Sequence, residues 1–231
     1  MNEGDQSYAG NGSGLVNFRP LSPEFFGAAG PRWFRSGTLA GVDRETARHL
    51  RHGLGIRAFI DLRSEVEIAR AEPPRTLLAA GIEWLRAPVG GYAGDPISAP
   101  VPTSDDYVAY YRSIVETARE AWRAAVATVD GRGPAPLVFG CHAGKDRTGI
   151  LAAILLDRAG APAELIAGDY ALSGDLLAAQ VDRFRDKWTA RGMSREAYAR
   201  RMRTPPEIMT RFLAEMRLHH GGLAHYVLRG P

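Results

Sequence analysis

Cysteine is almost missing from this chain of 231 residues: Cys141 is the only one. A disulfide scaffold is therefore excluded, as is a thiolate metal cluster within one chain. Lysine is nearly as scarce, since only Lys145 and Lys187 among the 29 basic residues are not arginine. Acidic residues number 26, so the formal net charge is only +3. No dense basic run, arginine–aromatic alternation or nucleic-acid motif occurs, and no nucleic-acid partner is expected. A run of about 18 apolar residues is also lacking, so no membrane span is expected. The first 30 residues have neither a basic start nor an apolar run, and no secretory signal is expected. The six histidines form no HExxH-like spacing; His49 and His52 stand three apart and His219-His220 is a bare pair. No metal and no cofactor are expected, and the expected location is cytoplasmic. Oligomeric state is not readable.

What is present suits a globular α/β protein. Hydrophobic residues make up 45% and charged residues 24% of the chain, which excludes disorder and collagen-like architecture. Residues 1–15 read as a flexible tail and 16–231 as one large domain. Short strands are expected near 34–39, over 56–62 and 82–89, and over 136–140. Helices are expected over 42–55, from Thr103 through Val129, over 148–159, and from Pro162 to Ser173. Two amphipathic helices broken at Arg191-Gly192 are expected in 174–203. A last long helix runs from Pro205-Pro206 to His219-His220. Gly90–Pro102 is too rich in Gly and Pro for regular structure. Strands alternating with helices argue a central sheet flanked by helices.

The segment around the single cysteine concentrates the chemistry. It reads LVFG-CHAGKDRTG-ILAAILL, a strand, a short loop and a helix. A helix N-terminus presents unpaired N–H groups and the positive end of its dipole. Both favour a thiolate at Cys141, which would then be a strong nucleophile. The five residues between Cys141 and Arg147, His142 through Asp146, can curl into a nest of backbone N–H groups for an anion. Gly144 permits the positive φ that such curling demands. Arg147 can fork two N–H bonds onto phosphoryl oxygens. Given one cysteine, Gly at +3, Arg at +6, Ser/Thr at +7 and Gly at +8 coincide by chance roughly once in ten thousand for this composition. These parts suit a phosphate ester attacked by sulfur, with His142, Ala143, Gly144, Lys145 and Thr148 binding substrate. Thr148 is placed to hydrogen-bond the sulfur, to cap the helix, or both.

The loop resembles the C-x5-R-[ST] signature of the cysteine-based protein tyrosine phosphatase superfamily. The form CHAGKDRTG is similar to the bacterial tyrosine/serine phosphatases that include the mycobacterial lipid-phosphatase-like enzymes. Asn17-Phe18-Arg19 resembles that family's N-terminal NFR, without the DLGG continuation. Arg35-Ser36-Gly37 resembles its RSG, Ile60-Asp61-Leu62-Arg63 with Glu67 its IDLR…E, and Asp169 to Ser173 its DYxLS. Gly221-Gly222 with Tyr226 resembles its final segment. The family usually has histidine immediately before the nucleophile, understood to brace the loop; Gly140 stands there in this chain. The resemblance therefore implies a thiol less readily ionised than in relatives.

A leaving oxygen needs a proton, usually from a carboxylic acid. Asp146 lies within the loop, and the resemblance implies that such an aspartate participates. Asp61 ends a strand, where α/β sites are commonly built, or else forms a buried pair with Arg35 or Arg63. Asp95, in the Gly/Pro loop, is the third candidate, or a turn residue. Lys145 resembles phosphoinositide-processing relatives and implies tolerance of several phosphates. The family likeness also implies a helical lid from 174–203. The expected function is a phosphate monoester hydrolase with a cysteinyl-phosphate intermediate, acting on phosphorylated protein as a tyrosine or dual-specificity phosphatase. A metabolic phosphatase for a small phosphorylated sugar, nucleotide or phosphoinositide is the alternative. A weakly active phosphate-binding module is the third reading.

Overall fold

The computed structural model describes residues 14–28, 30–90 and 102–229. By internal contacts the chain divides into two compact units, residues 1–91 with 124–148, and residues 92–123 with 149–231.

The first unit holds the sheet. Its strands are β1 (Arg19–Pro20), β2 (Trp33–Ser36), β3 (Ala58–Asp61), β4 (Glu83–Arg86) and β5 (Leu137–Gly140), in the order β1-β2-β5-β3-β4. β5 is central, parallel to β2 on one side and β3 on the other, and β4 is parallel to β3. β1 is antiparallel at one edge. Strands covered on both faces read as continuous apolar runs, and Leu137, Val138 and Phe139 are fully buried, as are Ala58, Phe59 and Ile60. Their core continues through Phe34, Leu50, Ile56 and Leu77. Because β2, β3 and β5 are parallel and in register, their carboxyl ends Ser36, Asp61 and Gly140 lie side by side.

The unit also holds four short helices, α1 (Pro23–Phe26), α2 (Arg44–Arg48), α3 (Glu65–Ala69) and α4 (Arg75–Ala79). None is long enough to display a helical period, and only α2 lies within an expected helix. That helix does not run on as α. Asp43 caps α2 by accepting from the Thr46 amide at 2.7 Å, and His49–Gly53 then widens into a π-helical turn. A Cβ at Gly53 would stand 2.6 Å from the His49 ring, so any larger residue there would have to displace that imidazole.

The helix expected through Val129 is two, α5 (Ser104–Thr117) and α6 (Arg119–Asp130). α5 starts at a complete capping box of Thr103 and Asp106. Beside the break, the Trp122 indole donates to the Ile114 carbonyl at 3.1 Å and the Thr117 hydroxyl to the Ser113 carbonyl at 2.7 Å. The Ile114 carbonyl also accepts the Ala118 amide at 3.2 Å, and α5 ends at its cap Ala118, whose φ of −117° and ψ of 28° leave the helical range. α7 (Asp146–Arg158) starts in the first unit and continues into the second. α8 (Ala163–Ala178) overruns its expected end because Gly174 is a packing glycine: a Cβ there would meet Thr204 Oγ1 at 2.8 Å. A 3-10 turn (Val181–Phe184), α9 (Arg185–Ala190) and α10 (Arg195–Arg201) follow, so 174–203 is more fragmented than two helices. α11 (Pro206–His220) ends at Gly221, whose φ of 76° supplies the left-handed cap, and α12 (Leu223–Leu228) follows. No helix of the described residues is long and apolar enough to cross a membrane.

α5, α8 and α11 share the buried centre of the second unit. The Tyr111 and Tyr170 hydroxyls lie 2.7 Å apart, and the Tyr111 ring meets Phe212 edge-on at 5.8 Å. Tyr111→Phe should cost about 1 kcal/mol through the lost hydroxyl bond. Tyr111→Ala should cost about 4 kcal/mol through the cavity. Urea unfolding followed by circular dichroism reads both, and equal losses would contradict this packing.

Candidate active site

The carboxyl end of β5 delivers Cys141 into a loop that α7 closes from Asp146 onward. Cys141, His142, Ala143, Gly144, Lys145, Asp146, Arg147 and Thr148 thus lie on one strand–loop–helix turn, with Cys141 buried. Asp95 lies outside the described residues.

The loop is fastened from the N-terminal side. The Thr38 amide donates to the His142 carbonyl at 3.0 Å. Asn17 Nδ2 donates to the Gly144 carbonyl at 2.8 Å and the Ala143 carbonyl at 3.3 Å. An Arg35 Nη2–H also reaches the Gly144 carbonyl, at 3.0 Å. Asn17 is buried in left-handed backbone (φ 51°), and its Oδ1 accepts from Arg19. Three successive carbonyls are drawn one way. Across a trans peptide each carbonyl opposes the next N–H, so the amides of Ala143, Gly144 and Lys145 are turned the other way.

Glycine makes that approach possible. At Gly144, with φ 72°, a Cβ would lie 2.5 Å from the Ser36 carbonyl carbon. At Gly140 it would lie 2.7 Å from the carbonyl oxygens of both Ser36 and Gly37. A Cβ on Gly37 would stand 2.9 Å from the His142 carbonyl oxygen. The position where relatives usually carry histidine is therefore closed to any side chain here.

Arg147 is held by Glu67. Its two terminal nitrogens reach the two carboxylate oxygens at 2.5 and 2.9 Å, and Nη1 also donates to the Leu62 carbonyl at 3.4 Å. Glu67 is simultaneously the third residue of α3, where it closes a capping box with Ser64. Burial pushes the Glu67 carboxyl up. The hydrogen bonds and charge of Arg147, with the Ser64 amide and hydroxyl, outweigh burial and lower it from 4.5 to about 2.

Asp61 is fully buried at the end of β3. Its oxygens accept from Arg63 at 2.7 to 3.1 Å and from the Trp84 indole at 3.1 Å. Asp146 is partly exposed, and Lys145, itself buried, brings Nζ to 3.5 Å from its Oδ1. The Thr148 hydroxyl is buried without a hydrogen-bond partner. Sequence reasoning placed Asn17, Arg35 and Glu67 in family-like motifs and offered Arg35 as a partner for Asp61, but gave none of the three a role in holding the loop or Arg147. Ser64-x-x-Glu67 carried a readable capping-box signal, whereas no local pattern marks Asn17 or Arg35 as loop supports.

Gly140→Ala should destabilise by about 1–3 kcal/mol from overpacking. Gly144→Ala should cost more, about 3 kcal/mol, because left-handed strain adds to the clash. Denaturant midpoints check the ranking, and a neutral Gly140→Ala would refute the close contact. Glu67 titrates lower folded than unfolded, so its stabilisation is complete above pH 4.5 and lost as pH falls through about 2. Its side chain is 38% exposed, and after that discount Glu67→Gln should cost about 1–2 kcal/mol near neutral pH. The gap should narrow as pH falls below 4.5. A gap constant from neutral to acid pH would rule out the ion pair as its source.

A family model described as the tyrosine phosphatase family matches residues 14–230. A tyrosine-protein phosphatase from Nostoc commune is 30% identical over 149 residues, covering 62% of this chain and 48% of that protein. The chain thus spans about half the length of that relative. Triple specificity protein phosphatase PtpB of Mycobacterium tuberculosis is 32% identical over 192 residues, covering 70% of this chain and 68% of that one. Among solved structures, the core catalytic domain of the PP-IP phosphatase SIW14 from S. cerevisiae is 18% identical, covers 67% of this chain and 73% of its own, and has a TM-score of 0.43. The chain belongs to the tyrosine phosphatase family of cysteine-dependent phosphatases.

Proposed function

We propose that this protein hydrolyses phosphate monoesters through a cysteinyl-phosphate intermediate, with phosphotyrosine-containing protein as the first substrate class. The observation that carries the reading is the loop from Cys141 to Arg147, whose carbonyls are pulled back so that successive amides face away from them. Such a row of N–H groups beside an arginine suits a tetrahedral dianion.

The sulfur of Cys141 attacks phosphorus as the phosphorus–oxygen bond to the leaving group breaks. Asp146 gives that oxygen its proton. Water then attacks phosphorus, Asp146 takes a proton from it, the sulfur–phosphorus bond breaks, and inorganic phosphate leaves. Arg147 and the loop amides stabilise the phosphoryl oxygens in both steps. The Thr148 hydroxyl, buried without a partner, is the donor for the departing thiolate. Asp146 is preferred to Asp61 as the acid because Arg63 and Trp84 already occupy the Asp61 oxygens. Buried Lys145, beside Asp146, favours a second reading, tolerance of esters that carry several phosphates. A reduced nucleophilic thiol fits a cytoplasmic site of action.

Cys141→Ser should abolish phosphate release from phosphotyrosine peptide, p-nitrophenyl phosphate and phosphoinositides with EDTA present. Arg147→Ala should lower kcat about a thousandfold. Asp146→Asn should slow esters with poor leaving groups about a hundredfold and p-nitrophenyl phosphate much less, whereas Asp61→Asn should act mainly on stability. Full turnover by Cys141→Ser would sink the thiol mechanism. A leaving-group effect at Asp61 instead of Asp146 would move the acid.

A further inference from the structure

A second concentration of positive charge lies outside the cysteine loop. Arg44, Arg48 and His52 succeed one another at intervals of four along α2 and the π-helical turn, and Arg75 and Thr76 of α4 face them. Together with Ala79 and Ala80 they line an open cleft of about 450 Å³ whose walls contain no carboxylate. The π turn is closed by the Leu54 amide on the His49 carbonyl at 3.0 Å.

Among the described residues no ion pair engages Arg44, Arg48 or His52. Arg75 has one, with Glu72 at 3.5 Å, between side chains 80% and 83% exposed, an arrangement of little energetic weight. Three guanidinium groups held together repel one another and gain most from a ligand that brings several negative charges at once. Guanidinium forks match phosphoryl oxygens two at a time. The cleft volume falls in the range of small-molecule sites.

We propose that this cleft is a binding site, separate from the cysteine loop, for a small ligand carrying two or more clustered phosphoryl groups. The site would hold a soluble or lipid-borne polyphosphate without turning it over, since the cleft lining contains no thiol or carboxylic acid and the Thr76 hydroxyl is engaged with the Val42 carbonyl.

The test uses full-length protein with the loop disabled by Arg147→Ala, so that any remaining anion binding reports on other sites. Inositol hexakisphosphate is titrated calorimetrically at ~100 mM salt. Phosphatidylcholine vesicles with and without phosphatidylinositol 4-phosphate are assayed by sedimentation. Arg44→Glu/Arg48→Glu should weaken binding at least about tenfold, with Arg44→Gln/Arg48→Gln intermediate. Arg57→Glu/Arg70→Glu, an equal change in net charge outside the cleft, should leave it unchanged. Circular dichroism confirms that each variant folds. Loss in the titration alone identifies a soluble ligand, and loss in the vesicle arm identifies a lipid headgroup. No binding once Arg147 is removed, or equal weakening by the control pair, would overturn the proposal. Neither result depends on whether Cys141 is a nucleophile.

Discussion

The backbone of Ser36–Gly37 lies against that of the cysteine loop with no space for a side chain between them. Hypothetical Cβ atoms on Gly140 and Gly144 would fall 2.5–2.7 Å from Ser36 and Gly37 main-chain atoms, well inside van der Waals contact. This contact lets the Thr38 amide, Asn17 and Arg35 reach the His142, Ala143 and Gly144 carbonyls. Those bonds set which way the peptide planes turn. A bulkier loop would stand away from β2, lose the three donors, and leave buried carbonyls without partners, at about 1–3 kcal/mol each. Gly140 is thus the residue that allows the bracing in this chain, rather than a gap where a brace should be.

The cation of the site is restrained by a different device. Glu67 finishes the capping box of α3 and grips Arg147 with both oxygens, so one carboxylate links a helix start to the loop. Beside it, Asp61 and Arg63 neutralise each other in full burial, with Trp84 supplying the remaining donor. Buried charges persist where each has partners of good geometry. The carboxyl ends of β3 and β5 therefore bring together two ion pairs, Asp61 with Arg63 and Glu67 with Arg147.

Much of this was legible in the chain. The strand–loop–helix around Cys141 could be read from the apolar runs flanking CHAGKDRTG, and β5, the loop and α7 lie where that pattern puts them. The alternative of a buried Asp61–arginine pair was also readable, although not the choice between Arg35 and Arg63. Elements of four or five residues, such as α1, α3 and α4, left no periodic trace, and only the Ser64–Glu67 box marked one of them. Helix ends went astray where distant or side-chain contacts decide them. Thr204 accounts for the glycine that α8 runs through.

The sequence alone determined which residues share the cysteine loop, because a thiol, a turn glycine and a guanidinium stand close together along the chain. It also determined the alternating α/β class, through apolar period and turn residues. Tertiary structure decided what holds the loop open: Asn17 and Arg35 lie more than a hundred residues from Gly144, and Glu67 lies 80 from Arg147. Such pairings depend on strand order and register, which place β2 and β3 on either side of β5. No local pattern records which strands become neighbours, so these supports exist only once the sheet has formed.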